Sequence, residues 1–129
     1  NEIKKVHQFL VFCVNSPAQS TLEHYLPETD LTNLGSFYQQ KRDFFREGLK
    51  NSRFNLLPSE GSYFQVASFK DISSESDVEF SKRITKEFGV ASIPLSVFHV
   101  DSRDQKLIRF CFAKDEETLT EAVQRLCKI

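Results

Sequence analysis

This sequence predicts an α+β fold, a small antiparallel or mixed sheet of three to four strands with helices packed on one face. Three observations point to it. Apolar residues at helical spacing open the chain, close it and recur in its middle, and most of these runs begin at a capping residue. Short apolar or alternating runs at 53–57, 63–68, 90–93 and 106–113 have the pattern of strands. The order is helices, two strands, a helix, two strands, a helix, and segregated runs of this kind belong to α+β domains.

The composition sets the outer bounds. At 129 residues the chain suits one domain, and 40% hydrophobic with 27% charged residues is the balance of an ordinary globule. A net charge of −1 excludes the broad basic footprint of a nucleic-acid binder. The longest apolar run, residues 9–14, is far short of the roughly 20 residues that span a bilayer, so no membrane partner is expected. No leader pattern opens the chain and the three cysteines form no C-x-x-C pair, so the expected setting is cytoplasmic and reduced. The chain starts at Asn1 and contains no Met, which is expected of a processed chain or a piece of something longer. Phe, used 13 times, carries much of the core that Met and Trp would otherwise share.

Element by element, residues 1–9 place Ile3 and Val6, with Leu10 just beyond, on one helical face. Ser16-Pro17-Ala18-Gln19 starts a second helix, with Ser16 as cap and Pro17 at the first helical position, and it ends before Pro27. Residues 28–35 are a polar connection. A charged helix then runs over 36–51, with Phe37, Phe44, Phe45 and Leu49 as its apolar face and Lys41, Arg42, Asp43, Arg46 and Glu47 as its solvated one. Gly48 weakens that helix by about 1 kcal/mol relative to Ala. After the strand at 53–57, Ser59-Glu60-Gly61 turns the chain into the strand at 63–68. Ser76-Asp77-Val78-Glu79 is a capping box, opening a helix with Phe80, Ile84 and Phe88 on one face and Gly89 as its left-handed stop. The strand at 90–93 is closed by Pro94. Asp115 caps the last helix, whose Leu119, Ala122, Val123 and Leu126 share a face.

Chemistry concentrates on the strand at 106–113. One of its faces carries Ile108, Phe110 and Phe112, and the other Leu107, Arg109, Cys111 and Ala113. Arg109 is a permanent cation among small apolar groups, and burying it unpaired costs several kcal/mol at least, so an anion is expected to meet it. Its planar fork matches a carboxylate with two parallel hydrogen bonds. The residues alone leave the partner open, either an Asp or Glu of this chain or an external carboxylate. Tyr63 follows Gly61 at a strand start. There Gly61 either allows a positive φ or a close ligand approach, or is a plain turn glycine with Tyr63 at the sheet edge. Cys111 is expected as a core thiol. His7, His24 and His99 lie far apart and form no metal pair.

The segments that carry Arg109 and Tyr63 also carry a resemblance. FYQQKRDFFREGLKNSRFNLLPSEGSYF, ITKEFGVASIPLSVF and KLIRFCFAKDEETLTEAVQRL resemble the C-terminal part of class I/II aminotransferases, the pyridoxal-phosphate enzymes of fold type I. Within them the methionine, kynurenine and glutamine-transaminase branch is the most similar, and the opening NEIKKVHQFLVFCVNSPAQ resembles the stretch after the cofactor-binding lysine. The resemblance implies a segment at 1–27 leading from a large N-terminal domain and a small C-terminal α+β domain at 28–129. It implies a parent that moves an amino group between an amino acid and a 2-oxo acid, as a cytoplasmic homodimer. It makes Arg109 the residue that grips the substrate α-carboxylate and Tyr63 an aromatic at the pocket mouth. His99 stands where the family usually has Tyr. The Schiff-base lysine, the aspartate on the pyridine nitrogen and the phosphate-holding arginine would all precede Asn1. This chain then holds no catalytic, cofactor-binding or metal-binding residue, and alone it is expected neither to bind pyridoxal 5'-phosphate nor to turn over. The competing expectation is a free-standing α+β module that binds a small anionic metabolite or a protein partner.

Overall fold

The computed structural model describes every residue from Asn1 to Ile129. The chain divides into two compact units, Asn1–Leu34 and Gly35–Ile129.

The first unit is helical. It holds α1 (Glu2–Leu10), α2 (Ser16–Tyr25) and a 3-10 turn, Leu26–Glu28, that contains Pro27. The α2 cap lies one residue before the expected one. Asn15 accepts the Ala18 N–H at 3.1 Å, so Pro17 is the second helical residue, still among first-turn positions whose N–H has no helical partner. No residue of α1 or α2 is buried, and Phe9, Leu10 and Phe12 of the apolar run are exposed.

The second unit carries the sheet. Its elements are α3 (Leu34–Gly48, entering from the last residue of the first unit), β1 (Asn55–Leu56), β2 (Phe64–Ser68), α4 (Asp77–Phe88), β3 (Ile93–Pro94), β4 (Leu107–Cys111) and α5 (Glu116–Leu126). The four strands are antiparallel throughout in the order β1-β2-β4-β3, so the expected α+β class holds and the mixed alternative drops out. Between residues 90 and 93 the expected strand shrinks to Ile93–Pro94. Pro94 is tolerated because β3 is an edge strand and needs no second partner. No helix is long and apolar enough to cross a membrane.

One face of this sheet makes the core. In register, Gln65 stands opposite Phe110 and Ala67 opposite Ile108, all buried. Phe45 of α3 and Leu49 just after its end, Phe80 and Ile84 of α4, and Leu119 and Leu126 of α5 are buried with them. Phe69 stacks on Phe80 at 4.1 Å and Phe54 meets Phe110 edge-on at 5.7 Å, so phenylalanine does fill the core. Gly48 is there for packing, since a Cβ on it would lie 2.9 Å from the Val123 methyls of α5.

Two expectations for α3 are corrected. Phe37 and Phe44 are exposed, because the buried stripe runs through Phe45 and Leu49 with Tyr38 at its edge. Arg42 and Arg46 are not solvated either. Arg42 donates to the Ser59 carbonyl at 3.1 Å, and Arg46 donates to the Leu57 carbonyl at 2.8 Å and to buried Gln65 at 2.6 Å. Those bonds satisfy polar groups that would otherwise be stranded between α3 and the sheet.

Candidate functional site on the open sheet face

The other face of the sheet holds no buried residue of β2 or β4: Phe64, Val66, Ser68, Leu107 and Arg109 are half-buried and Cys111 is exposed. Strand alternation sends Arg109 to this face, opposite Val66 on β2 and Ile93 on β3, with Cys111 two residues further along β4 opposite Phe64. Cys111 is therefore exposed, which corrects its expected place in the core: the odd-numbered residues of β4 point away from it. Cys13 and Cys127 are also free and exposed.

Arg109 is half-buried, and no carboxylate or carbonyl of this chain accepts from it. Its guanidinium carbon lies 4.4 Å from the Phe64 ring centre and 5.3 Å from that of Phe98. Arg42, Arg46, Arg53, Arg83, Arg103 and Arg125 each meet a carboxylate or carbonyl oxygen. Aromatic faces attract a guanidinium without using its N–H donors, so the fork stays free for an anion.

Arg109 and Tyr63 line one cavity of about 540 Å³, with Phe64, Ile93, Cys111 and Lys114 along its wall and Thr118 and Ala122 of α5 also lining it. Tyr63 is 55% exposed. Its carbonyl accepts the Phe112 N–H at 3.0 Å, and its ring meets Phe64 edge-on at 5.7 Å. Gly61 has no positive φ and open space around a built Cβ, so it is a plain turn glycine. Glu121 of α5, also on the cavity wall, pairs with Arg125 and cancels its charge. Arg109 and Lys114 remain as uncancelled cations, so the cavity favours an anion.

Sequence reasoning did not find Phe98 or its support. Phe98 lies in a second 3-10 turn, Ser96–Phe98, between β3 and β4. That turn is held by Asp77, whose carboxylate accepts the Ser96 N–H and the Ser96 hydroxyl, each at 2.7 Å. The capping box marks Asp77 as a helix-start residue and gives no sign of its long-range role. No group of His, Cys, Asp and Glu is arranged to hold a metal ion.

Comparison with known proteins shows which family the chain belongs to. Residues 1–126 match the model of the family aminotransferase class I and II. The chain belongs to that family. It is 49% identical to a methionine aminotransferase of Escherichia coli over 97% of its own length and 33% of the relative's. Among solved structures it is similar to a methionine aminotransferase from Escherichia coli, with a TM-score of 0.80 and 48% identity over 99% of this chain and 34% of that one. The N-succinyldiaminopimelate aminotransferase of Mycobacterium tuberculosis follows, with a TM-score of 0.79 and 31% identity over 94% of this chain and 32% of that one. The chain thus spans about a third of the length of the relatives it matches.

Aminotransferases of this family use pyridoxal phosphate, and the donor set of this cavity does not fit that group. Its one lysine, Lys114, is exposed, and its one carboxylate, Glu121, is committed to Arg125. Neither a buried amine for the aldehyde nor a free carboxylate for the pyridine nitrogen is available. What these residues are equipped to do is receive an anion.

Proposed function

We propose that this chain is the small C-terminal domain of a pyridoxal-phosphate-dependent aminotransferase that exchanges an amino group between an amino acid and a 2-oxo acid. Within it, Arg109 binds the substrate α-carboxylate and Tyr63 lines the pocket mouth. One observation carries the reading: Arg109 alone among the arginines makes no bond to an oxygen of this chain, and it opens into an apolar cavity. A guanidinium on a half-buried sheet face with only aromatic neighbours suits a two-point contact with a carboxylate. The large N-terminal domain would supply the cofactor and the lysine. Residues 1–27 would lead from that domain and 28–129 form the small one. Assembly as a cytoplasmic homodimer belongs to the same reading and rests on the resemblance alone. The methionine aminotransferase relatives make L-methionine the first amino acid to test.

The testing experiment is steady-state kinetics of the full-length protein with L-methionine and a 2-oxo acid, comparing wild type with Arg109→Ala. Loss of kcat/KM together with loss of affinity for the unreactive carboxylate hexanoate supports the reading. Unchanged hexanoate affinity overturns it.

A further inference from the structure

We infer that Asp77 is a positioning residue for Arg109, acting through Ser96 and Phe98; the inference rests on the assignment of Arg109 to a substrate carboxylate.

Asp77 is the first residue of α4 and is 1% exposed, yet no Lys, Arg or His pairs with it. Both carboxylate oxygens are used on one residue. Oδ2 accepts the Ser96 N–H and Oδ1 the Ser96 hydroxyl, each at 2.7 Å. The first turn of α4 favours the negative charge, because its unpaired N–H groups lie there. A buried carboxylate held this way is costly to desolvate, and the contact it makes in exchange is a clamp on a single turn.

That turn carries Phe98. Its ring is 62% exposed, so core packing does not hold it in place. It nevertheless lies against the Arg109 guanidinium, and the backbone that bears it determines where it sits. Asp77 fixes this backbone at Ser96, and next to it the Leu95 N–H donates to the Leu107 carbonyl of β4 at 3.2 Å. The Arg109 guanidinium has no hydrogen bond in the chain, so the Phe64 and Phe98 rings are the contacts that limit its orientation. With the turn loosened, the guanidinium samples more orientations, and carboxylate binding must then bear the cost of ordering it.

The test uses the full-length protein, with hexanoate affinity by calorimetry and KM and kcat for L-methionine. Asp77→Asn is expected to weaken hexanoate binding and raise KM by about five- to tenfold while kcat stays within about twofold. Phe98→Leu is expected to do the same, and adding Asp77→Asn to Phe98→Leu should cause no further loss, because both act through one contact. Should Asp77→Asn fail to fold, Ser96→Ala carries the test. It keeps the N–H bond to Asp77 and is expected to shift both constants in the same direction by about two- to threefold. Wild-type hexanoate affinity in Asp77→Asn or Ser96→Ala, or losses at Asp77 and Phe98 that simply add, overturns the inference while leaving the role of Arg109 intact. Wild-type affinity in Arg109→Ala removes the assignment itself, and the inference with it.

Discussion

Arg83 and Arg109 belong to the same unit, and each lies against phenylalanine rings, yet they end in opposite electrostatic states. Arg83, on α4, sits 5.1 Å from the Phe80 ring centre. It donates from Nε to both oxygens of Glu75 at 3.1 and 2.9 Å, and a second carboxylate, Glu87, lies 3.5 Å from it. Arg109, on β4, has two rings and no acceptor in the chain. Both are only partly exposed, so solvent access does not separate them. The difference is where the chain placed its acids. Two carboxylates meet the arginine that ties α4 to the preceding loop, and none pairs with the one that opens into the cavity, where Glu121 is taken by Arg125. An arginine without a partner beside apolar walls costs stability, and it is tolerable where the partner comes from outside.

Replacing each arginine in turn sharpens that contrast most. In the full-length protein Arg109→Ala is expected to lower kcat/KM for L-methionine by about a hundred- to a few thousand-fold, the loss of a two-point charge-assisted contact worth about 3–5 kcal/mol. Arg83→Ala should leave kcat/KM within about twofold, since Arg83 belongs to the domain's own scaffold. Arg109→Lys comes next in size. An ammonium keeps the charge and loses the planar fork, so about a tenfold deficit against wild type should persist. Equal kinetic losses at Arg83 and Arg109 would erase the distinction drawn between them.

Much of this contrast was legible in the sequence, and the rest was out of reach for physical reasons. Period-two alternation put Arg109 opposite Ile108 and Phe110, because one strand face must meet the core. The capping box, the Gly89 stop at φ 66° and the Asp115 cap were equally readable, since each is a local bond between near neighbours. Cys111 was misplaced although the same alternation puts it on the Arg109 face, because an apolar run looks buried on both sides. The Arg46–Gln65 and Asp77–Ser96 bonds join residues 19 apart in each case, and no local pattern announces a pairing at that distance. Phe98 is harder still, since it is exposed and earns its place through a turn fixed by another element.

Stability should reverse the kinetic order. In urea melts of this chain, Arg83→Ala is expected to cost about 1 kcal/mol, because Glu75 and Glu87 both lose a partner. Arg109→Ala should stay within about 1 kcal/mol of wild type in either direction, because no internal pair is broken. A larger loss at Arg109 than at Arg83 would mean that the open face holds the fold together.

The smallest effect is also the most discriminating, because it depends on pH. The Arg83 guanidinium, and after it the Ser73 hydroxyl, hold the Glu75 carboxyl below its ordinary value of 4.5. A carboxyl lowered on folding contributes stability above its unfolded pKa and loses it as pH falls through the folded value. Both partners are about a third exposed, so solvent screening limits the contribution to about 0.5 kcal/mol at neutral pH. Glu75→Gln should therefore be less stable than wild type by about that amount at pH 7, with the gap closing as the pH is taken well below 4.5. Arg109→Ala, measured over the same range, should differ from wild type by a constant, because no carboxylate of the chain leans on Arg109. A gap at Arg109 that also closes in acid would expose an internal acid paired with it, and the two arginines would then be of one kind.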